Sequence, residues 1–252
     1  MKMLFFIAAL TINASAQIPV GGVTAAGGII NPFIVSSTAN AASTAPAVTT
    51  GMNTTGATLL TLAISSFSND PDGSASIVDA VGGNAACNNV GGGPPAWTPF
   101  GTSYASGSNV ITNLFYCTPA HTGAGHTVTV TGLQFPAVVF TAWNIKTTLD
   151  VVNGAGSSGS VTTLSSGSSG SPAGSGELFI TGYGSNGTST GALSVNSGWT
   201  IPTNGTIFNG ANGNTSLNTG IAWQIGGAGA LTGTWTDTGN STTMTAFVVA
   251  FK

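Results

Sequence analysis

Charge is what this sequence has least of. Only 4% of its 252 residues are Asp, Glu, Lys or Arg, against roughly a quarter in an ordinary soluble protein. Lys2, Lys146 and Lys252 are the only basic residues and the net charge is -3, so nothing is available to neutralise a run of phosphates. That excludes nucleic acid as a partner, and an anionic membrane surface with it. The hydrophilic surface must be built from Ser, Thr, Asn and Gly, which bind water but project almost no field.

Helix formers are scarce as well. Glu177 is the only glutamate, and no stretch keeps a helical spacing of apolar residues, which excludes a helical bundle. Long hydrophobic runs are missing too. The longest, Met3 to Ile12, is too short to span a bilayer, and no later segment approaches a transmembrane length. With Lys2 before it and Ala14-Ser15-Ala16 after it, this run reads as a secretory signal peptide over 1–16. The expected location is therefore secreted, extracellular or on the cell surface. Cysteine is limited to Cys87 and Cys117. In an exported chain they would form one disulfide, closing a loop of about 30 residues worth about 3–4 kcal/mol; two separate buried thiols are the alternative.

What is present is β signal. TLLTLAISSF, NVITNLFYC, HTVTVTG, AVVFTAW, ELFITGYG, TGIAWQI, GTWTDT and MTAFVVAF are short runs rich in Val, Ile, Thr and aromatics, punctuated by Gly, Asn, Ser and Pro. The fold class they indicate is all-β, an antiparallel two-sheet β-sandwich over 51–252 as a single domain. Residues 17–50, with apolar pieces IPVGGV and INPFIV, read as an extended N-terminal arm suited to strand addition on its own domain or on a second copy. The Ser/Gly-rich stretch 153–176 has linker composition, but it encloses VTTL and is expected to be a loop of the same domain.

The chain also echoes itself. Thr58-Leu59-Leu60-Thr61-Leu62 corresponds to Glu177-Leu178-Phe179-Ile180-Thr181, and Trp97-Thr98-Pro99 to Trp199-Thr200-Ile201-Pro202. Asn113-Leu114-Phe115-Tyr116 corresponds to Gly220-Ile221-Ala222-Trp223, and Phe140-Thr141-Ala142-Trp143 to Val248-Val249-Ala250-Phe251. Four matches in one order indicate pseudo-repeats at about 54–144 and 176–252. Trp97 and Trp199 are then expected to be core anchors. The halves differ most in the excursion from Asp70 to Pro95, which contains Cys87.

Thr54-Thr55-Gly56-Ala57-Thr58-Leu59-Leu60, Phe115-Tyr116-Cys117-Thr118-Pro119 and Gly125-His126-Thr127 resemble the strand entry, aromatic strand and turn of a group of secreted bacterial and phage-associated β-sandwich domains. The resemblance covers about 40–252. It implies a jelly-roll-like fold and an extracellular or virion-surface location, and it assigns no catalytic or binding residues. The glycine-rich insertion before Trp97 departs from the commoner pattern.

Candidate chemistry is sparse. The acids Asp70, Asp72, Asp79, Asp150, Glu177 and Asp237 show no spacing that selects a glycosidase pair, and no Gly-x-Ser-x-Gly elbow is present. His121 and His126 lack a third metal ligand nearby, and Asn69-Asp70-Pro71-Asp72-Gly73 fits a plain turn better than a calcium loop. No catalytic residue, cofactor or metal is expected. Tyr104, Tyr183 and Trp235 are the candidates for stacking on sugar rings, if they are not simply packed on strands. The reading is a non-catalytic surface, adhesive or structural protein, self-associating or binding a cell-surface glycan. A carbohydrate-binding module is the alternative, and a glycoside-active enzyme comes third.

Overall fold

The apolar runs are of two kinds, and the fold puts them in different layers. Runs such as LLTLAI and AFVVAF have no regular polar alternation and suit strands covered on both faces. TVTVT and TWTD alternate and suit strands with one wet face. The computed structural model describes residues 33–42, 46–67, 71–87, 96–101, 103–106, 110–145, 147–187, 193–208, 217–238 and 242–252. The leader at 1–16, the IPVGGV piece of the arm, Lys146 and Asp70 lie outside them.

In the first half, β1 (Phe33–Ala41), β9 (Ala137–Asn144), β3 (Leu59–Ser66), β7 (Val110–Cys117) and β5 (Thr98–Pro99) are neighbours in that order, with β6 (Tyr104–Ser106) also on β7. In the second, the order is β10 (Leu149–Gly156), β17 (Thr243–Phe251), β12 (Glu177–Asn186), β15 (Leu217–Gly226) and β14 (Thr206–Phe208). Two three-stranded sheets complete the set, one of β2 (Ala47–Val48), β8 (Thr127–Thr131) and β4 (Ser76–Ala80), the other of β11 (Thr163–Ser165), β16 (Thr234–Asp237) and β13 (Leu193–Val195). Among the described residues every strand pairing is antiparallel. A single turn of helix, α1 (Pro71–Ser74), precedes β4.

The observed class is the all-β antiparallel sandwich, but with four layers rather than two. Leu60, Leu62 and Ile64 of β3 join Val128 and Val130 of β8 and Ile77 of β4 in one core, between the first large sheet and its small one. Leu59 and Ala63, on the opposite face of β3, pack with Leu178, Ile180, Phe247 and Phe251 of the second large sheet. Beyond that sheet, Tyr183, Ala222, Trp235 and Met244 form a third core with Leu164, Leu193 and Val195. All of β3 is buried, whereas β8 alternates half-buried and buried. Each fully buried Leu or Ile stabilises by about 1.5–3 kcal/mol, which is why the strands with continuous runs hold the middle.

Each of the five strands of the second large sheet has a counterpart in the first, β14 matching β6, and their register corresponds; β5 is matched only by a bridge at Thr200. Leu59 stands opposite Trp143, and Leu178 opposite Phe251. Thr61 faces Tyr116 while Ile180 faces Trp223, and Thr98 and Thr200 sit beside that same Tyr116 and Trp223. Those are the partners the four sequence matches require. The edge strands agree further: β1 slips register between Ile34 and Ser36, and β10 between Leu149 and Val151, beside the matched residues Trp143 and Phe251. The correspondence in strand order thus starts at β1 and β10, upstream of 54 and 176.

The halves meet in opposite order. β1 lies against β14 and β6 against β10; β9 meets β15, and β7 meets β17; β3 and β12 cross at the centre. Exchanging halves leaves this pattern unchanged, which is the signature of a pseudo-two-fold axis.

Two segments take a definite place in the sandwich. Residues 33–41 and 47–48 of the arm are strands of the sandwich itself, because β9, apolar on both faces, needs a neighbour on its outer edge. The Ser/Gly stretch contains the end of β10 and all of β11. Its buried Ser166 and Ser169 donate their backbone N–H groups to the Gly233 and Leu231 carbonyls, at 2.8 Å each, and accept the N–H of those same residues on Oγ at 3.1 and 2.9 Å. Serine serves there as a short backbone mimic. Residues 31–252 form one compact unit.

Candidate functional site

The Asp70 to Pro95 excursion is organised by one buried acid. Asp79, on β4, accepts the N–H of Ala86 at 2.5 Å, of Cys87 at 2.8 Å and of the Trp97 indole at 2.8 Å. Cys87 is disulfide-bonded to Cys117 on β7, with Cα atoms 6.1 Å apart. Trp97 packs edge-on to Phe140 and is buried, as expected of an anchor. Trp199 is half-buried and donates its indole N–H to the Thr232 carbonyl at 3.2 Å.

His126 belongs to the same core. Its ring meets Phe140 edge-on, Nδ1 lies 3.0 Å from the Thr54 hydroxyl, and Nε2 lies 4.0 Å from Asp79. Burial lowers its pKa, against a smaller opposing pull from Asp79. The unfolded chain takes up this proton near the ordinary value of about 6.5, while the folded protein resists it. The unfolded state therefore binds more protons below about 6.5, and stability held above that pH is lost as pH falls. The urea midpoint is expected to drop between about pH 7.5 and 5.5 in the wild type. In His126→Gln that part of the pH dependence should be absent; an unchanged slope would contradict the assignment.

The remaining acids are dispersed. Asp72 accepts the Ser103 N–H at 2.7 Å and binds the Asn113 amide. Asp237 accepts the Tyr183 hydroxyl at 2.7 Å. Among the described residues only Asp150 and Glu177 come together, beside Lys252, whose ammonium lies 2.6 Å from Asp150. The Lys252 hydrogen bond holds Asp150 below the usual carboxylate range, and burial, reinforced by Asp150, pushes Glu177 up. Glu177 is only 3% exposed and its Oε1 accepts the Gly174 N–H at 2.9 Å, so it presents no open carboxyl of the kind a glycosidase pair needs. Among the described residues no three His, Cys, Asp or Glu side chains cluster as a metal site.

Tyr183 and Trp235 are both 0% exposed and stacked on each other with centroids 5.6 Å apart. Neither presents a face to a sugar; the stacking role read from the sequence is corrected at these positions, because the Tyr183 hydroxyl and the Trp235 indole N–H both find partners inside. Tyr104 is half-buried, with its ring laid over Gly154 and beside Phe100. Burial raises both tyrosine pKa values.

The open feature lies elsewhere. A groove of about 510 Å³ runs between β1 and the segment before β14, lined by Ile34 to Ser37 on one side and Thr200 to Asn204 with Trp223 on the other. No charged residue lines it. Sequence reasoning missed it because its walls are more than 160 residues apart; the only signal was the match that made Trp223 the counterpart of Tyr116. Among the described residues no helix is long and apolar enough to cross a membrane. No protein-family model, curated protein or solved structure matches the chain.

Proposed function

We propose that this protein is a non-catalytic extracellular contact protein, adhesive or structural, made of one β-sandwich unit duplicated within the chain. The carrying observation is the outer face of the β2–β8–β4 sheet. Val48, Thr129 and Val78 stand side by side across its three strands, and the two valines are 42% and 41% exposed. Thr127 and Thr131 flank Thr129 along β8. Such a face offers methyl groups and hydroxyls without charge, so contact on it costs little desolvation and is insensitive to salt.

Export and the bridged Cys87–Cys117 pair fit together with this reading, since a disulfide persists in an oxidising compartment. Self-association or a cell-surface glycan would be the partner. The duplicated unit is supported by the shared register and the shared bulge of the two large sheets.

The test is retention of the purified protein on intact cell envelopes and on a layer of itself. Wild-type retention should persist at high salt. Val48→Asp with Val78→Asp should lose it while stability stays within about 0.5 kcal/mol per substitution, since both positions are exposed. Full retention by the double variant would overturn the reading.

A further inference from the structure

One of the three basic residues and two of the six acids meet at one end of the second large sheet, and strand register brings them there. β17 lies between β10 and β12. Lys252 follows its last residue, and the Lys252 backbone exchanges N–H···O bonds with Thr148 at 2.9 and 3.2 Å. Leu178 stands opposite Phe251, so Glu177, one residue earlier on an antiparallel neighbour, comes level with Lys252. Asp150 is the residue left over where β10 slips register between Leu149 and Val151. A bulge of this kind re-aims a side chain.

The result is an amine held against a sheltered carboxyl group. Lys252 Nζ lies 2.6 Å from Asp150 Oδ1, which puts the nitrogen about 3–3.5 Å from Cγ, the separation of reacting atoms in a near-attack arrangement. The Asp150 side chain is 9% exposed. Its Oδ2 accepts the Ala173 N–H at 2.6 Å, a donor placed where negative charge would collect if the carbon were attacked. Glu177 Oε1 is held by the Gly174 N–H, and Oε2 is buried with no hydrogen-bond partner. Burial raises the Glu177 pKa, so this acid can keep a proton beside the pair. An ordinary surface ion pair needs neither the second, buried acid nor the aimed N–H.

The first half has nothing equivalent. In the matching register it carries Val35 at the slip, Thr58 at the start of the inner strand and Asn144 at the end of the middle one. That half is closed instead by the Cys87–Cys117 bridge, whereas the second half contains no cysteine.

We propose that Lys252 and Asp150 condense to a side-chain amide that joins β17 to β10, with Glu177 carrying the protons. The ammonium first passes one proton to Oδ1 by way of Glu177. The freed lone pair on Nζ attacks Cγ, and the charge that develops on Oδ2 is met by the Ala173 N–H. A second proton leaves the nitrogen for Oδ1 by the same route, the Cγ–Oδ1 bond breaks, and Oδ1 departs as water. One N–C bond forms, one C–O bond is lost, Glu177 ends as it began, and no oxidant or reductant is required. The step happens once in each molecule and turns over no substrate, so it is independent of the adhesive reading. It ties residues 102 apart in sequence and gives the half without cysteine its own covalent closure.

The test is mass spectrometry of the purified full chain after the folded protein has stood at neutral pH, with the disulfide reduced before measurement. The wild type should be lighter than its sequence by one water, and a chymotryptic map should contain a branched peptide joining Asp150 to Lys252. Lys252→Arg keeps the ion pair but supplies no attacking amine, so it should show no water loss. Glu177→Gln should show none either, or a much slower one. Melting should separate a bond from an ion pair: Lys252→Arg is expected to lower Tm by about 10 °C, because closing a loop of about 100 residues constrains the unfolded chain as a disulfide does. A wild type at full mass, or water loss that persists in Lys252→Arg, overturns the bond and leaves an ion pair only. Water loss at the wild-type rate in Glu177→Gln overturns the role given to Glu177.

Discussion

Asp79→Ala is expected to lower stability by about 3–5 kcal/mol, because it leaves three N–H groups buried with no acceptor. For a chain of this size that is a fall in Tm of about 10 °C. The three donors come from Ala86, Cys87 and Trp97, so the one carboxyl group fixes where the excursion leaves β4, where the disulfide sits and where the tryptophan enters the core. Asp79→Asn should be nearly as damaging, since its amide nitrogen would confront a donor. In a Cys87→Ser/Cys117→Ser background, itself less stable by about 3–4 kcal/mol, the Asp79→Ala effect should shrink. Without the bridge the segment can swing its N–H groups out to water, and neighbouring effects of this kind do not add. Calorimetric melting of the four proteins gives the cycle. Equal effects of Asp79→Ala with and without the bridge would mean that the carboxyl group does not position Cys87.

The sequence marked this excursion as the part the halves do not share, and Asp79 within it as one of six acids without a pattern. Its role was not legible, because its donors are two backbone groups and one indole, none of which leaves a signature in residue type. The same holds for the groove. The inner strands were legible, since LLTLAI and AVVFTAW cannot expose a face without exposing Leu, Phe or Trp. TLLTL against ELFIT and FTAW against VVAF also pointed to strands that hold the same register in the two large sheets. Four layers were implicit in that signal but were not read from it. A strand covered on both faces requires a layer on each side, and two such strands in each half require the halves to stack. Tyr183 and Trp235 misled because an aromatic beside glycine or threonine looks the same whether it stacks on a sugar or, as here, on another ring.

The equivalence of the halves can be tested inside the central interface. Ala63 faces Val139 across β3 and β9, and at the same register Gly182 faces Phe247 across β12 and β17. The first half fills that space with a small and a medium side chain, the second with none and a large one. The Phe247 ring lies where a Gly182 Cβ would be. Gly182→Ala is therefore expected to cost about 1–3 kcal/mol through overpacking, and Phe247→Val about 2–4 kcal/mol through the cavity it leaves, including the lost contact with Phe100. Together they transplant the Ala63/Val139 solution. The double variant should be more stable than the sum of the two losses allows, and no less stable than Phe247→Val alone, because the new methyl enters space the ring has vacated. Urea denaturation of the four proteins measures this directly. Strict additivity would show that the two sites are not interchangeable in their packing, and would count against one ancestral sandwich repeated along the chain.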